Sequence, residues 1–198
     1  MNHFAGFAEK ASSETVRQLW GRVLAGEIRH PSTFSISALR ILSETDADTA
    51  KSFQEAAEYR IVGDSFGISE NVLLIPGGLN GRTLMDWTRL EESGFLQGVS
   101  SSLHATWISK DDVPQILHIS PKLCLILQGK GQSTSFQIHF VKITRAGSQV
   151  CSILPWNEIE AGRKAASLIN NPVKITLASI EERTDAGITW RSLEILKE

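Results

Sequence analysis

Apolar residues in the first sixty positions recur at intervals of three and four, the spacing of one face of an α-helix. The first set consists of Val16, Leu19, Trp20, Val23 and Leu24. Pro31 prevents this helix from continuing, and Gly26 marks either its end or a point of tight packing. The pattern predicts a helix from about Glu14, with Trp20 buried against Phe34, Leu39 or Phe53.

Two shorter helices are predicted after the proline. Ser35 can cap the second helix, whose apolar positions are Ile36, Leu39 and Leu42. Thr45, with Asp48 three residues later, resembles a capping box for the third helix. The third helix is predicted to reach about Arg60 and to bury Ala47, Ala50, Phe53 and Ala57.

The pattern changes near Gly63, where short apolar or alternating runs between turn residues predict strands. These runs are NVLLI, HATWI, KLCLIL, SFQIHFVKI, QVCSIL, VKITLASIEE and ITWRSLEIL. QGKGQSTS has the composition of a hairpin turn. Two further helices are predicted, one carrying Leu84, Trp87 and Leu90 and ending at Gly94, the other carrying Ile159, Ala166 and Ile169.

The order of these elements predicts an α+β fold in three parts. Residues 1–62 form an N-terminal helical unit, and residues 63–154 a winged-helix-like helix/strand module, because a helix ending in LEESGFL and followed by strands commonly builds one. Residues 155–198 form a C-terminal antiparallel sheet with one helix, packed on the preceding region.

Composition places the chain among ordinary globular proteins. It has 198 residues, of which 41% are hydrophobic and 21% charged, so it can bury a core. Its longest apolar runs are far below the roughly 18 residues that span a bilayer, and the amino terminus lacks the pattern of a signal peptide. Two cysteines alone build neither a disulfide framework nor a zinc site. A cytoplasmic protein is therefore predicted.

One stretch of the chain carries positive charge without any negative charge. The net charge is −2, yet residues 113–157 contain no acidic side chain. The candidate contacts to a nucleic acid or another anion are Lys122, Lys130, Lys142 and Arg145. With Phe136, Phe140 and Trp156 available for stacking, they could form an anion-binding face. Alternatively, the cations lie on outward strand positions and the aromatic side chains in the core.

No motif specifies a reaction. PGGLNGRT, residues 76–83, lies between a strand and a helix as a phosphate-binding loop does, but it lacks the first glycine and the lysine of that loop. The five histidines show no metal-ligand spacing, so neither a metal nor a cofactor is predicted. Cys124 and Cys151 have the surroundings of buried thiols, although a Cys–His pair formed only in space stays open.

The stretch LWGRVLAGEIRHPSTFSISALRIL, residues 19–42, joins the first two helices. Its apolar side chains are expected to clamp the helices around the proline turn. Glu27, Arg29 and His30 are expected either to anchor that turn or to form an interaction surface.

Residues 19–53, LWGRVLAGEIRHPSTFSISALRILSETDADTAKSF, resemble an uncharacterised bacterial and prophage family, domain of unknown function 2806. The similarity lies in Leu-Trp, Leu-Ala-Gly-Glu-Ile, Pro-x-x-Phe-Ser and Leu-Arg-x-Leu, followed by an acidic helix with a phenylalanine. Pro31 is followed here by Ser-Thr-Phe rather than Gly-Ser-Phe. The resemblance implies a C-terminal fragment of mobile-element origin and no particular activity.

The sequence therefore predicts a non-enzymatic regulatory or interaction module, with binding of a nucleic acid as its specific version. A protein partner or self-association through the N-terminal helices is expected, and no membrane. The alternative is a hydrolase or nuclease whose site is assembled only in three dimensions.

Overall fold

The chain divides into two compact units, each discontinuous along the sequence. The structure, a computed structural model, describes residues 14–61, 71–75, 84–99, 103–109, 113–129, 134–169, 173–184 and 187–198. The first unit comprises residues 1–58, 81–101 and 141–155, and the second comprises residues 59–80, 102–140 and 156–198.

The described residues form helices and two antiparallel sheets, which confirms the α+β class. The helices are α1 (Glu14–Arg29), α2 (Ile36–Glu44), α3 (Ala47–Ala57), α4 (Leu84–Glu92), α5 (Arg145–Ser152) and α6 (Glu158–Ser167). The strands are β1 (Arg60–Ile61), β2 (Val72–Ile75), β3 (Leu96–Gln97), β4 (Leu103–Ser109), β5 (Gln115–His118), β6 (Leu123–Gly129), β7 (Thr134–Ile143), β8 (Val173–Thr184) and β9 (Gly187–Lys197).

Helix α1 buries the predicted face. Its buried residues are Val16, Leu19, Trp20 and Val23, and Trp20 is only 5% exposed. The prediction that Leu24 shares this face is wrong, because Leu24 is 47% exposed. Successive residues on a helix are 100° apart around its axis, so the side chain of Leu24 points outside the arc that the buried side chains cover.

Capping side chains set the starts of α2 and α3. Ser35 accepts a hydrogen bond from the Ala38 N–H at 3.2 Å, as predicted. The capping box of Thr45 and Asp48 is wrong, because Asp46 is the N-cap and accepts from the Thr49 N–H at 2.7 Å. That backbone hydrogen bond lowers the pKa of Asp46. Helix α3 ends at Ala57, short of the predicted end near Arg60.

Helix α4 ends where the sequence predicts. Gly94 has φ 81°, and the N–H groups of Gly94 and Phe95 donate to the carbonyls of Glu91 and Leu90, a glycine-terminated helix end. Phe95 then stacks on Phe53, with 4.1 Å between ring centroids. This contact ties α3 to the end of α4 in the core of the first unit.

The predicted strand QVCSIL is wrong, because residues 145–152 form α5. Thr144 caps this helix, accepting from the Gly147 N–H at 2.9 Å. Ala146, Val150 and Leu154 are buried, and their four-residue spacing indicates a helix. A Cβ at Gly147 would lie 2.3 Å from the Phe95 carbonyl oxygen, so only glycine allows the helix to approach so closely.

The second unit contains the four-stranded sheet, in the order β5-β6-β8-β9. The hairpin β8–β9 confirms the predicted C-terminal antiparallel pair. In the other sheet β1 pairs with β2, and β4 pairs along residues 134–140 of β7. The predicted hairpin at QGKGQSTS is wrong, because β6 and β7 belong to different sheets. Turn composition predicts a change of direction but does not identify the strand that pairs next.

Helix α6 packs on one face of the four-stranded sheet. A Cβ on its Gly162 would lie 2.6 Å from the Leu177 side chain. At the start of the helix, the buried Ser120 hydroxyl donates to the Glu158 carboxylate at 2.5 Å and accepts from the N–H groups of Lys122 and Leu123. These bonds hold the β5–β6 turn against α6.

Three further apolar positions expected on buried helix faces are exposed. Ile36 is 78% exposed, Leu84 56% and Ile159 42%. Each lies in the first turn of its helix, where the chain is only entering the packed layer. Periodicity predicts the direction of a side chain but not where the neighbouring element begins to cover it.

We expect Trp20→Ala to lower the free energy of unfolding by about 3 to 5 kcal/mol, because it removes a buried aromatic ring and leaves a cavity. Thermal or denaturant unfolding measures the change. The control is Glu14→Ala, at an exposed position in the same helix, which should change stability by less than about 0.5 kcal/mol. A Trp20→Ala protein that unfolds like the parent would contradict the packing of α1.

Candidate interaction surface

The turn between α1 and α2 is held by the side chain of Glu27. Its Oε2 accepts from the Ser32 N–H at 2.9 Å and its Oε1 from the Phe34 N–H at 2.7 Å. Ser32 between them has φ 68°, a left-handed conformation that costs energy for a residue other than glycine. One carboxylate therefore stabilises a backbone conformation that the sequence of the turn does not favour.

A second polar side chain holds the same turn from α5. Gln149 donates through Nε2 to the Thr33 carbonyl at 2.7 Å. Its Oε1 accepts from the backbone N–H of Ser35 at 3.0 Å and from the Ser35 hydroxyl at 2.8 Å. Gln149 was not among the predicted residues, because a contact across 114 positions leaves no local signal in the sequence.

Apolar packing completes the turn. Phe34 is buried, and its ring lies 3.0 Å from where a Cβ of Gly26 would stand. Helix α1 continues through Gly26, so this glycine is a point of tight packing rather than a helix end. Beyond it, the Arg22 guanidinium approaches the Ile153 carbonyl at 3.5 Å.

The three polar residues predicted at this turn differ in role. Glu27 is an anchor, whereas the side chains of Arg29 and His30 are exposed. The backbone of His30 takes part in the turn, since its carbonyl accepts from the Thr33 hydroxyl at 2.5 Å. Arg29 and His30 stay candidates for an interaction surface.

Helix α1 carries a second apolar strip outside the buried face. Leu24 is 47% and Ile28 73% exposed. Gly21 lies three residues before Leu24 and is also exposed, and within the described chain no atom lies within 4 Å of where its Cβ would stand. The spacing 21, 24, 28 is that of a helix seam in a coiled coil. We name these three residues the α1 strip.

The predicted anion contacts are divided between the two units. Lys122 belongs to the second unit and is exposed, while Lys142 and Arg145 belong to the first, where Arg145 is exposed and Lys142 half-buried. Lys130 lies outside the described residues. Because the two exposed cations belong to different units, they do not by themselves indicate a shared binding site for an anion. This site stays a prediction.

A cysteine and a histidine that could form a reactive pair lie next to each other in the second unit. His118 lies directly opposite Cys124 on neighbouring strands, and Arg183 Nη2 lies 3.2 Å from His118 Nδ1. Cys124 is fully buried. Loss of solvation raises the pKa of Cys124 to about 11, although the charge of Arg183 acts in the opposite direction. A thiol in this state is a poor nucleophile at neutral pH.

The remaining predictions concern a phosphate-binding loop, a metal site, a membrane span and a disulfide. PGGLNGRT lies outside the described residues. Among the residues that the structure places, no three His, Cys, Asp or Glu side chains are grouped to hold a metal ion. No helix in that part of the chain is both long and apolar enough to cross a bilayer. Cys124 and Cys151 are both buried and form no disulfide.

The amino-terminal half of the chain is similar to a known protein family. A family model described as "Protein of unknown function (DUF2806)" matches residues 1–97. This match confirms the resemblance to DUF2806 over residues 1–97. No curated protein and no solved structure matches the chain. The winged-helix likeness of residues 63–154 stays a prediction.

The stretch that resembles DUF2806 contains the residues that build the turn. Gly26 and Glu27 belong to its Leu-Ala-Gly-Glu-Ile segment, and Phe34 and Ser35 to its Pro-x-x-Phe-Ser segment. Each of the four has a packing or hydrogen-bonding role in the turn. The place of these four residues in the stretch is therefore explained by the structure of the turn.

We expect Glu27→Ala to lower the free energy of unfolding by about 2 kcal/mol, because the Ser32 and Phe34 N–H groups lose a charged acceptor. Glu27→Gln should cost less, since its amide oxygen can still accept from Phe34. Denaturant unfolding, with amide hydrogen exchange at residues 32 and 34, measures both effects. Arg29→Gln, exposed two residues away, is the control, and an equal loss in that variant would contradict the anchoring role of Glu27.

Proposed function

We propose that the chain is a non-enzymatic interaction module of a bacterial or prophage protein, acting in the cytoplasm, and that it binds a helix of another protein chain through the α1 strip. The observation that supports this most is the exposure of Leu24 and Ile28 on a helix whose adjoining face is buried. In one version of this function the partner helix belongs to a second copy of the chain. Such self-association can be tested with the purified chain alone.

The geometry of the strip suits a helix as the partner. Single exposed apolar side chains are common and need no explanation. Leu24 and Ile28 instead lie one turn apart on the same side of α1, and Gly21 continues their line. Glycine permits close approach of a partner backbone, and the two aliphatic side chains can insert between side chains of the facing helix. The partner helix is expected to carry a complementary apolar stripe.

The Glu27 anchor and the Gln149 clamp support the same function. They fix the end of α1 by hydrogen bonds within the first unit. A strip held on a rigid helix loses little conformational entropy when it binds, which favours affinity. This argument applies to any partner helix and does not require chemistry at the turn.

Nucleic-acid binding is the second version of the interaction function. Lys122 and Arg145 are exposed, and neither forms an ion pair within the described residues. Those side chains are therefore available to phosphates. Proteins with strong salt-dependent binding contact about six to ten phosphates, so this support is weaker than that for the α1 strip.

We expect Ile28→Glu to convert a self-associated chain to monomer, because it places a charge in the centre of an apolar seam. Sedimentation equilibrium of the parent and the variant across a range of concentrations measures the change. Ile36→Glu is a matched control, since it makes the same substitution at an equally exposed isoleucine in the same unit. A parent that is monomeric throughout would contradict self-association, and equal dissociation of both variants would contradict the role of the strip.

For the nucleic-acid version, we expect duplex DNA to be retained with the protein on a filter at low salt and released as salt rises, because cations bound to the phosphates are displaced on binding. Lys122→Glu or Arg145→Glu should weaken retention, whereas Glu14→Ala should not. If DNA is not retained, or if its retention does not change with salt, DNA binding is contradicted. The proposal that the chain binds a protein helix is unaffected by that result.

A further inference from the structure

Strand β9 forms one edge of the four-stranded sheet. Among the strands that the structure describes, β9 pairs only with β8. It is 11 residues long and carries three exposed large apolar side chains, Trp190 (37%), Leu193 (48%) and Ile195 (49%). A long edge strand with apolar side chains is a template for pairing with another chain, because half of its backbone N–H and C=O groups face no neighbouring strand.

The register of the sheet shows which backbone groups of β9 point away from β8. The Ile180 N–H donates to the Lys122 carbonyl at 2.8 Å, so the backbone groups of Ile180 point towards β6. Ala178 and Thr176 lie at steps of two along β8 and point the same way. Residues opposite them on β9 exchange no hydrogen bonds with them, so their own N–H and C=O groups point to the open edge. These residues are Trp190, Ser192 and Ile195.

The spacing of these outward groups fits a second copy of β9. Trp190 and Ser192 are two positions apart, whereas Ser192 and Ile195 are three apart, because a β-bulge inserts Leu193. An antiparallel copy related by a two-fold axis at Ser192 places Ser192 opposite itself and Trp190 opposite Ile195. On each side of the axis, two residues of one strand then oppose one residue of the other, which is the arrangement of a β-bulge.

Apolar side chains meet in this register. Trp190 and Ile195 stand opposite Ile180 and Thr176 of β8, so both lie on the same face of the sheet. Each Trp190 would face Ile195 of the other copy, and aromatic side chains opposite β-branched ones stabilise a pair of strands. The pair forms twice, and it covers side chains that are 37% and 49% exposed in the single chain.

The other face of the sheet supplies charge complementarity. Arg191 and Glu194 stand opposite Ser179 and Leu177 of β8, so they share the face on which α6 packs. The same two-fold axis places Arg191 of one copy opposite Glu194 of the other, again on both sides. A shift of the strands that placed Arg191 opposite Arg191 would instead bring like charges together. Charge therefore favours the register in which the apolar side chains also meet.

Both charged groups can form these contacts while keeping their present ones. Arg191 lies 3.7 Å from Glu181 Oε1 in its own chain, and more than half of each side chain is exposed. Arg163 donates twice to Glu194, both times to Oε2. The Oε1 atom of Glu194 can therefore accept from Arg191 of the second copy, since a carboxylate has acceptor sites on both oxygens.

We propose that the β9 edge binds a second copy of this chain, with the two β9 strands antiparallel about Ser192 and the two sheets joined into one. The surface belongs to the second unit and the α1 strip to the first, so this inference goes beyond the proposed function and does not rest on it. Because the contact is short, we expect a Kd on the order of 0.1 to 1 mM. Sedimentation at micromolar concentrations then reports the α1 strip alone.

Disulfide trapping detects a weak pair of this geometry. Opposite Cα atoms in an antiparallel pair are about 4.5 to 5.5 Å apart, which a disulfide can span, so Ser192→Cys should link to its own copy. Oxidised glutathione is the oxidant and is itself reduced to two thiols. Ser167→Cys is the matched control, since it makes the same change at an exposed serine of the same unit. All proteins carry Ile28→Glu, so that the α1 strip does not bring chains together.

At a protein concentration of about 0.2 mM, we expect Ser192→Cys to form the covalent dimer about tenfold faster or more than Ser167→Cys, because pairing raises the effective concentration of the two thiols. The native cysteines are buried, and the protein without an added cysteine gives the background rate. Non-reducing electrophoresis measures the dimer, and circular dichroism confirms that each variant is folded. Equal rates for the two cysteine positions would overturn the proposal.

Charge reversal tests the register. In the Ser192→Cys protein, Arg191→Glu should slow dimer formation about threefold or more, because two attractive pairs become repulsive. Adding Glu194→Arg exchanges the two charges and should restore the rate. Each rate is divided by that of the same thiol with a dipyridyl disulfide, which cancels the effect of a neighbouring charge on the thiol. An unchanged rate in Arg191→Glu, or no recovery in the double variant, would contradict this register.

Discussion

The carboxylate of Glu27 makes possible the chain reversal on which the first unit depends. It accepts two backbone hydrogen bonds from a turn that contains a left-handed serine. Without these bonds the turn would keep the free-energy cost of its left-handed serine and would lose the hydrogen bonds that offset this cost. Because α2 starts at the end of this turn, with Ser35 as its cap, the entry of α2 into the core follows from the same carboxylate. Gln149 adds a long-range restraint from α5.

This dependence separates the two sides of α1. The side that carries Trp20 and Val23 is packed, and its end is held by Glu27 and by the contact of Gly26 with Phe34. The side with Leu24 and Ile28 is largely exposed, so it contributes much less to that packing. A residue that stabilises the fold needs no other reason for its presence, whereas an exposed aliphatic strip gains no folding energy from its position. The proposed interaction of the strip with a partner helix is based on this exposure.

Local signals predicted well those elements that local interactions determine. Ser35 as a cap, Gly94 as a helix end and Trp20 as a core residue each follow from a neighbour within a few positions. Two of the predictions that were wrong, the strand QVCSIL and the hairpin at QGKGQSTS, depended on distant partners. Residues 149–154 have a strand-like composition, but the Thr144 cap and the close approach of Gly147 to Phe95 make the segment a helix. Of the candidate site, Glu27 was identified, and Gln149 and Arg183 could not be.

The α1 strip lies beside the part of the fold that several contacts restrain together. Glu27, Gln149 and Phe34 restrain one turn together, so that turn has a single stable arrangement. That single arrangement also fixes the end of α1, so the α1 strip is presented on a rigid helix.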